Sequence, residues 1–301
     1  MEDRRVIQSR DEDTVGAKGG RIQAGLIGRQ IAKSLSPALH ESEGRALGLD
    51  YSYYLFDLDE LPAGETTLPR LLDILQSDGL AGCNVTYPVK QTIMPLLDSL
   101  SREADAIGAV NTVRFLPDGR REGHNTDWWG FGENLQRALP DAKMARIVLL
   151  GAGGAGAAAA YAVCRAGVGE LVIFDADADR AGTLARRLSS QGFRVRDAAL
   201  DSLERELAGA DGLIQATPIG MRGRPGSPVS AALLDPRLWV AEIVYVPLET
   251  QLLREARARG CRTVDGGGMV VLQAARAIEV FTGVSADGER MRRHFEALQA
   301  I

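Results

Sequence analysis

The sequence predicts an α/β fold in two domains, and three observations support this prediction. Apolar segments typical of buried strands alternate with helical patterns along most of the chain. The chain has 301 residues, a length at which about two domains are expected. The stretch from Arg146 to Asp175, RIVLLGAGGAGAAAAYAVCRAGVGELVIFD, follows the order strand, glycine turn, helix, strand and acid.

That stretch matches the fingerprint of a dinucleotide-binding domain. The run 147–150 is apolar throughout, as in a strand buried on both faces of a parallel sheet. Gly151, Gly153 and Gly156 give the spacing G-x-G-x-x-G, which permits a tight turn and a close approach of a pyrophosphate to the backbone. The N-terminus of the alanine-rich helix then offers unpaired N–H groups to the phosphates. The predicted cofactor contacts in this turn are Gly151, Ala152, Gly153, Gly154 and Ala155.

Asp175 closes the second strand of the stretch and indicates which dinucleotide binds. A carboxylate at this position accepts hydrogen bonds from the ribose hydroxyls of NAD and repels the 2′-phosphate of NADP. The next cation, Arg180, follows only after Asp177 and Asp179, which either disfavour a phosphate pocket or are simply solvated turn residues. We therefore expect Asp175 and Arg180 among the cofactor contacts, and NAD rather than NADP as the cofactor. The alternative, a glycine-rich turn that only packs a helix on a sheet, leaves the acid without a role.

Composition excludes several classes of function. Hydrophobic residues make up 45% and charged residues 25% of the chain, as in ordinary globular proteins. The net charge of −5 gives no overall attraction to nucleic acid or to an anionic membrane, and no apolar run reaches the ~18 residues of a membrane span. The three cysteines and three histidines show neither a disulfide framework nor metal-ligand spacing. We expect a cytoplasmic protein that binds no metal.

Residues 1–20 are rich in charge and glycine, and they predict a disordered extension rather than a secretory signal. After residue 20, the spacing of apolar residues and the positions of turn residues predict the strands and helices. The predicted strands cover 21–27, 51–57, the segment from Leu80 towards Pro88, 108–113, 147–150, 171–174, 194–197, 212–216, 239–244 and 262–264. The predicted helices follow Pro37 and cover 68–76, 128–139, 155–166, 180–190, 203–208, 251–259, 270–281 and 286–298. Asp118-Gly119 predicts a hairpin, and 265–269 predicts a flexible turn.

Ser34 and Ser36 lie two residues apart in the segment SLSPALH. One interpretation makes Ser36 the cap of the following helix, with Pro37 in its first turn. The other interpretation lets both hydroxyls donate to an anionic group of a substrate. The segment alone does not decide between the two.

Asn84, Thr86 and Lys90 fall at the end of a predicted strand, in the segment NVTYPVK. Open α/β sheets bind ligands beyond the carboxyl ends of their strands, so these side chains are candidates for a binding site. The alternative is a turn with one exposed lysine. Asn111 is predicted on the strand 108–113, and Asp127 begins a helix, where it is either functional or only an N-cap or first-turn acid.

Taken together, these segments resemble the shikimate dehydrogenase family, including its quinate/shikimate branch. The matching segments are SLSPALH (34–40), NVTYPVK (84–90), GAVNT (108–112), NTD (125–127), GAGGAG (151–156), ATPIGM (216–221), VYVPLET (244–250) and GMVVLQA (268–274). The resemblance implies an N-terminal α/β substrate-binding and catalytic domain over 21–126 and 266–301. It also implies a C-terminal Rossmann domain over 127–265, with the active site in the cleft between the two.

The resemblance further implies a role for each matching residue. Lys90 and Asp127 match the catalytic pair. The groups that hold the substrate carboxylate correspond to Ser34, Ser36 and Tyr245. The groups that hydrogen-bond the ring hydroxyls correspond to Asn84, Thr86, Asn111 and Gln273. The residues around the nicotinamide correspond to Thr217, Val244, Gly268 and Met269.

These residue types suit the reversible oxidation of the ring C3 hydroxyl to 3-dehydroshikimate or 3-dehydroquinate, which needs a hydride acceptor and a group that removes the hydroxyl proton. Desolvation favours the neutral Lys90 amine that accepts a proton, whereas a nearby Asp127 favours the charged amine, so the balance stays open. Ser36 is the shikimate-type residue, and quinate dehydrogenases often have threonine there. Shikimate is therefore the first expected substrate and quinate the second.

The segment after the second Rossmann strand departs from the commonest family pattern. NADP-using members usually carry an Asn-Arg-Thr type segment where this chain has Asp175-Ala176-Asp177, which favours the NAD-linked quinate/shikimate branch. An NADP-dependent biosynthetic shikimate dehydrogenase is the first alternative. A methylene-tetrahydrofolate dehydrogenase is disfavoured by the paired serines, by Asp127 and by the aromatic content of 5%. A nucleotide-sensing protein without turnover is disfavoured by the presence of Lys90 and Asp127. A monomer and a homodimer are both compatible with the sequence.

Overall fold

The computed structural model describes residues 6–7, 20–61 and 67–299. These residues form two compact units, each built of helices around its own sheet. One unit comprises the described residues up to Thr126 together with those from Val271 onward, and the other is Asp127–Val270. The predicted α/β fold is confirmed. The second change of unit falls after Val270, whereas the predicted boundary is at residue 265.

Strands and helices alternate along much of the chain. Up to residue 126 they are β1 (Val6–Ile7), β2 (Ile22–Gly28), α1 (Ser36–Ala46), β3 (Tyr51–Asp57), α2 (Leu68–Ser77), β4 (Gly82–Val85), β5 (Ser99–Ser101), α3 (Arg102–Ile107), β6 (Thr112–Phe115) and β7 (Arg121–His124). From residue 127 they are α4 (Asp127–Ala138), β8 (Arg146–Leu150), α5 (Gly154–Arg165), β9 (Glu170–Phe174), α6 (Ala178–Ser189), β10 (Val195–Asp197), α7 (Leu203–Ala208), β11 (Gly212–Gln215), β12 (Trp239–Glu242), α8 (Gln251–Ala258), β13 (Arg262–Val264), α9 (Gly267–Thr282) and α10 (Gly288–Gln299).

The sheet of the first unit has the order β1-β5-β7-β6-β4-β2-β3 among the described residues. β2 pairs in parallel with β3 and β4, whereas β6 runs antiparallel to β4 and β7. The carboxyl ends of β2, β4 and β7 therefore lie at the same edge of the sheet as the amino end of β6. The antiparallel pairing of β6 and β7 confirms the hairpin predicted at Asp118-Gly119.

The sheet of the second unit has the order β10-β9-β8-β11-β12-β13, and every pair in it is parallel. With β8 counted as the first strand, this is the order 3-2-1-4-5-6 of doubly wound dinucleotide-binding folds. Gln215 lies opposite Leu150 on one side and Glu242 on the other, so β8, β11 and β12 end at the same level. The glycine turn after β8 lies where the strand order reverses, which is where such sheets bind ligands.

The structure differs from the predicted elements in several places. β5 and α3 were not predicted, and β1 pairs with β5, while residues 1–5 and 8–19 of the predicted extension lie outside the described residues. The strand predicted over 108–113 begins only at Thr112, because Gly108 ends α3 in the left-handed region with a φ of 75°. The turn predicted over 265–269 is shorter, because α9 already begins at Gly267.

Glu43 ties α1 to α10 within the first unit. Its side chain is only 1% exposed, and its Oε1 accepts the N–H of Asp287 at 2.7 Å. Nε and Nη2 of Arg290 donate to the two carboxylate oxygens at 2.8 and 2.6 Å. A bidentate arginine–carboxylate pair of this kind combines charge with fixed geometry. It holds the helix that carries Ser36 against the last helix of the unit.

We expect Glu43→Ala to lower the free energy of unfolding by about 3 kcal/mol, because a buried ion pair loses one partner and a backbone N–H is left unpaired. This value is at the low end for buried pairs because the Arg290 side chain is 37% exposed and can rehydrate. Urea unfolding at pH 7 measures the change. The matched control is Glu296→Ala, which removes an exposed pair with Arg292 and should cost less than about 1 kcal/mol. Equal losses in the two variants would contradict the role assigned to Glu43.

Candidate active site

The glycine turn between β8 and α5 requires glycine at two positions. Gly151 has a φ of +97°, and a Cβ on it would lie 2.8 Å from the backbone that follows β11. A Cβ on Gly156 would lie 1.9 Å from the carbonyl oxygen of Gly151, so only glycine lets α5 pack this closely. A Cβ on Gly153 would meet nothing within 4 Å, which leaves space where a pyrophosphate would approach. The first residues of α5, Gly154 and Ala155, present the helix N-terminus there, so the turn fits a dinucleotide.

Asp175 braces this turn from the end of β9. Its Oδ2 accepts the N–H of Ala152 at 2.7 Å, and its Oδ1 accepts the N–H of Asp177 at 2.9 Å. Each carboxylate oxygen can accept a further hydrogen bond from a ribose hydroxyl. Asp177 is an exposed residue that also caps α6, and it forms an ion pair with Arg180 at 3.7 Å. The charge of Arg180, predicted as a cofactor contact, is therefore partly balanced by a neighbouring acid.

Gln215 shapes the loop that follows β11. The side chain is fully buried, and its Nε2 donates to the hydroxyl of Thr217 at 2.8 Å and to the carbonyl of Ile219 at 2.9 Å. Its Oε1 accepts the N–H of Thr217 at 3.1 Å. One amide thus satisfies several polar groups of the loop and fixes Thr217, a residue predicted beside the nicotinamide.

Glu242 holds the loop that follows β12. It is 2% exposed, its Oε1 accepts the N–H of Val244 at 3.0 Å, and its Oε2 accepts the hydroxyl of Thr250 at 3.0 Å. Burial raises the pKa of Glu242 to about 7, although the hydrogen bonds act to lower it. The predicted strand ends here, two residues early, because the carboxylate takes the Val244 N–H that a longer strand would use for pairing. Val244 and Tyr245 consequently lie in the loop.

Tyr245 and Asp127 lie close enough to interact electrostatically within the second unit. Burial raises the pKa of the Tyr245 hydroxyl, and the negative charge of Asp127 raises it further. Asp127 is 5% exposed and is the first residue of α4, so it is a first-turn acid as well as a buried carboxylate. One predicted catalytic residue and one predicted substrate-binding residue of this unit therefore influence each other electrostatically.

Gly268 and Met269 lie in the first turn of α9, next to a side chain of α4. Asn134 donates from Nδ2 to the carbonyl of Asp265 at 3.0 Å. A Cβ on Gly268 would lie 1.9 Å from Oδ1 of Asn134, so the close packing of α4 here requires glycine. Met269 is 6% exposed. Asn134, a residue that the sequence did not single out, therefore packs against Gly268 and hydrogen-bonds the backbone just before α9.

The serine pair of the first unit is organised by its own hydrogen bonds. The hydroxyl of Ser34 donates to Oγ of Ser36 at 3.1 Å, and the N–H of Ser36 donates to Oγ of Ser34 at 3.2 Å. α1 begins at Ser36, and the N-cap residue Leu35 makes no side-chain cap. The interpretation of Ser36 as the helix cap is therefore wrong. Both serines are half-buried, which leaves the binding of an anionic group as their predicted role.

Asn84 and Asn111 lie at the centre of a buried polar network formed by the ends of β4 and β7 and the start of β6. Nδ2 of Asn84 donates to the hydroxyl of Thr112 at 2.9 Å and to the carbonyl of Asn111 at 3.3 Å. Oδ1 of Asn111 accepts the Thr112 hydroxyl at 2.9 Å and the N–H of Thr126 at 2.7 Å, while its Nδ2 donates to Oγ1 of Thr126 at 2.9 Å. Oε1 of Gln273, from α9, lies 3.5 Å from both Asn111 and Thr126.

Thr86 and Lys90 follow β4 at the same edge of the sheet. The N–H of Thr86 donates to the carbonyl of Ile27 at 2.9 Å, and a Cβ on Gly28 would lie 2.3 Å from the Thr86 methyl group. Lys90 is half-buried, and its carbonyl accepts the N–H of Val110 at 2.8 Å. The structure thus brings the predicted Asn84, Thr86, Asn111 and Gln273 to one edge of the first sheet and fixes the backbone of Lys90 there.

Two residues of this region were missed by the sequence reasoning. The hydroxyl of Tyr53, on β3, donates to Oδ1 of Asn84 at 2.7 Å. Asp57, at the end of β3, accepts the N–H groups of Gln30 and Ile31 at 3.1 and 2.8 Å and so shapes the loop that leads to the serine pair. In the sequence Tyr53 is only a strand-forming aromatic residue. Asp57 could have been singled out from the sequence, because an acid at the end of a strand often accepts hydrogen bonds from N–H groups of a neighbouring loop.

Over residues 6–7, 20–61 and 67–299, no three His, Cys, Asp or Glu side chains are grouped so that they could hold a metal ion. Within the same ranges, no helix has the length and apolar character to cross a membrane. Cys83, Cys164 and Cys261 are buried free thiols.

Comparison with known proteins decides the family. Residues 26–113 match the shikimate dehydrogenase substrate binding domain, and residues 133–219 match the family described as shikimate / quinate 5-dehydrogenase. The chain belongs to the shikimate dehydrogenase family. The resemblance inferred from the sequence segments is thereby confirmed.

Three relatives within the shikimate dehydrogenase family illustrate the likeness. A shikimate dehydrogenase (NADP(+)) of Streptomyces avermitilis is 50% identical over 269 residues, 89% of this chain and 92% of that protein. A quinate/shikimate dehydrogenase (NAD(+)) of Corynebacterium efficiens is 45% identical over 279 residues, 92% of this chain and 98% of that protein. The solved quinate dehydrogenase from Corynebacterium glutamicum in complex with NAD has a TM-score of 0.87 at 42% identity, covering 92% of this chain and 99% of that one. As a family member, the protein is an NAD(P)-dependent oxidoreductase of the shikimate/quinate dehydrogenase type.

We expect Glu242→Gln to flatten part of the pH dependence of stability. A carboxyl group whose pKa rises from 4.5 to about 7 on folding stabilises the fold fully below its unfolded pKa, and this stabilisation is lost as the pH rises through about 7. Between pH 5 and pH 8 the wild type should therefore lose up to about 3 kcal/mol relative to the variant. Urea unfolding of both proteins at several pH values measures the difference. A difference that does not change with pH would contradict the assignment.

Proposed function

We propose that this protein transfers a hydride reversibly between the C3 hydroxyl of shikimate and NAD, with quinate as a second substrate. Oxidation gives 3-dehydroshikimate or 3-dehydroquinate. The observation that supports the proposal most directly is the grouping of amide and hydroxyl side chains at one edge of the first sheet. Such a set suits a small ring that carries both a carboxylate and several hydroxyls.

The substrate carboxylate is assigned to Ser34 and Ser36. Their hydroxyls lie 3.1 Å apart and are half-buried, so two donors can meet one anionic group where water is partly excluded. The ring hydroxyls are assigned to Thr86, Asn111 and Gln273. A site built to pair with hydroxyls rejects analogues that lack them, because its own polar groups are then left unpaired.

Asn84 has a supporting role in this proposal. Its two amide hydrogens are directed at Thr112 and at the carbonyl of Asn111, and its oxygen accepts the Tyr53 hydroxyl. Asn84 therefore orients its neighbours instead of donating to the ring, which differs from the role implied by the family resemblance.

Lys90 and Asp127 are the proposed acid–base pair. In the direction of oxidation the Lys90 amine takes the proton of the ring hydroxyl, and Asp127 accepts a hydrogen bond that orients the hydroxyl and the amine. NAD, when bound, supplies the hydride acceptor. Tyr245 assists from its position near Asp127, where it can donate to the substrate carboxylate.

NAD is the proposed cofactor because of Asp175. The carboxylate sits at the end of β9 with its oxygens fixed by the N–H groups of Ala152 and Asp177, where it can accept from the ribose hydroxyls and would repel a 2′-phosphate. Arg180, the nearest following cation, is paired with Asp177. The names of the relatives include both NAD and NADP users, so the choice rests on these residues.

We expect Lys90→Ala and Asp127→Asn each to lower kcat for shikimate oxidation by at least ~10²-fold, because each removes a positioned acid–base group. Initial rates at saturating shikimate and NAD measure the effect, and thermal unfolding checks that the variants fold. Lys143→Ala and Asp201→Asn change exposed residues of the same types and should keep wild-type rates. If neither Lys90→Ala nor Asp127→Asn loses ~10²-fold, the assignment of the pair fails.

Initial rates with shikimate and quinate against NAD and NADP test the proposed substrate and cofactor. We expect the largest kcat/KM for shikimate with NAD, and a smaller rate for quinate with NAD. Asp175→Asn should lower the preference for NAD over NADP, because the charge that repels a 2′-phosphate is removed. Asp179→Asn removes an exposed charge of the same segment and should leave the preference unchanged. A wild-type preference for NADP would overturn the interpretation of Asp175.

A further inference from the structure

Asp57 ends β3 beside the start of the loop that carries the serine pair. β2 and β3 run in parallel with Gly28 opposite Asp57, so the two strands end at the same level. Residues 29–35 then connect β2 to α1 and include Ser34. Asp57 is 7% exposed, so a buried carboxylate lies where this loop begins.

Three backbone N–H groups donate to the Asp57 carboxylate. Oδ1 accepts the N–H of Gln30 and the N–H of Asp59, both at 3.1 Å. Oδ2 accepts the N–H of Ile31 at 2.8 Å. Hydrogen bonds to an ionised acceptor are roughly twice as strong as those between neutral groups, so Asp57 holds the first residues of the loop firmly.

Gln30 has a backbone conformation that needs such support. Its φ is +56°, and in the part of the chain that the structure describes it is the only residue other than glycine with a positive φ. This left-handed conformation is unfavourable for a residue that carries a side chain. It directs the consecutive N–H groups of Gln30 and Ile31 towards one carboxylate, as backbone does around a bound anion. Asp57 therefore stabilises the turn with which the loop begins.

Ile31 connects this turn to the serine pair. Its side chain is 6% exposed and belongs to a buried cluster with Tyr51 and other residues of β2 and β3. Its carbonyl accepts the N–H of Ser34 at 2.8 Å, and Oγ of Ser34 accepts the N–H of Ser36 at 3.2 Å. Three hydrogen bonds thus link Asp57 through Ile31 to both serines. None of the three uses a hydroxyl proton, so both serine hydroxyls can rotate to donate to a bound carboxylate.

We propose that Asp57 is a positioning residue that fixes the loop 29–35 and so places Ser34 and Ser36 for the substrate carboxylate. This role rests on the proposed function of the two serines. The proposed acid–base pair is held by other elements, since Lys90 follows β4 and Asp127 begins α4. Loss of Asp57 should therefore change KM for the substrate rather than kcat.

Asp57→Asn tests the role, because it keeps the shape of the side chain and removes its charge and one acceptor. In either orientation of the amide, the NH₂ group faces at least one backbone N–H and cannot accept from it. We expect KM for shikimate to rise about 10-fold, the equivalent of one hydrogen bond, with kcat within about 3-fold and KM for NAD within about twofold. Initial rates measure these constants, and thermal unfolding checks that the variant is folded at the assay temperature. The matched control is Asp59→Asn, which removes an exposed charge paired with Arg29 and should keep KM for shikimate within about twofold of wild type.

Gln30 offers a second test that leaves the buried residues unchanged, because its side chain is exposed. Gln30→Val introduces a β-branched residue, for which a positive φ is strongly unfavourable, and should raise KM for shikimate at least ~3-fold. Gln30→Gly is its matched control. Glycine adopts a positive φ readily, so this variant should keep KM for shikimate within about twofold of wild type.

A double-mutant cycle with Ser34→Ala separates positioning from general weakening of the fold. Once the Ser34 hydroxyl is gone, Asp57→Asn should raise KM by less than about 3-fold, because the two residues act on the same contact. A wild-type KM in Asp57→Asn, equal effects of Gln30→Val and Gln30→Gly, or fully multiplicative effects in the cycle would each overturn the positioning role alone. Failure of the wild-type protein to turn over shikimate or quinate would overturn the proposed function, and the positioning role with it.

Discussion

Buried backbone groups at the ends of strands must find partners, and both units place polar side chains to meet this requirement. In the first unit the N–H of Thr126 and the carbonyl of Asn111 fix two asparagine side chains. In the second unit Glu242 accepts the N–H of Val244, and Gln215 pairs with the loop after β11. The residues with proposed roles in binding are held by these groups, so the geometry of both regions follows from where the strands stop.

The fold was predictable from the sequence because its signals are local. The G-x-G-x-x-G spacing, the apolar runs around it and Asp175 each depend on residues close together in the chain, and the structure confirms the succession strand, glycine turn, helix and strand that they predict. The bounds of β3 and β13 match the predicted ranges to the residue. The errors lie where a side chain or a backbone conformation interrupts the regular element: the Glu242 carboxylate ends β12 early, and the left-handed conformation of Gly108 delays the strand after α3.

The candidate site was only partly predictable, since its support comes from residues distant in sequence. Tyr53 contacts Asn84 across 31 positions of the chain, and nothing in the segment YSYYLF distinguishes it from its neighbours. Gln215 hydrogen-bonds the predicted cofactor residue Thr217, and Asn134 packs against Gly268, yet each resembles an ordinary polar residue of a strand or helix. The family segments identify the residues with predicted roles in binding. The residues that support them by hydrogen bonds can be identified only from the three-dimensional structure.

The ion pair between Glu43 and Arg290 has a consequence for the order in which the chain acquires its structure during synthesis. The two residues are 247 positions apart, so α1 stays without this partner until the ribosome has made nearly the whole chain. The unit from Asp127 to Val270 is continuous, and all its strands are present before Arg290 is translated. Domains generally fold as units while the chain emerges from the ribosome. The unit Asp127–Val270 can therefore fold before α10, the last helix of the other unit, has been synthesised.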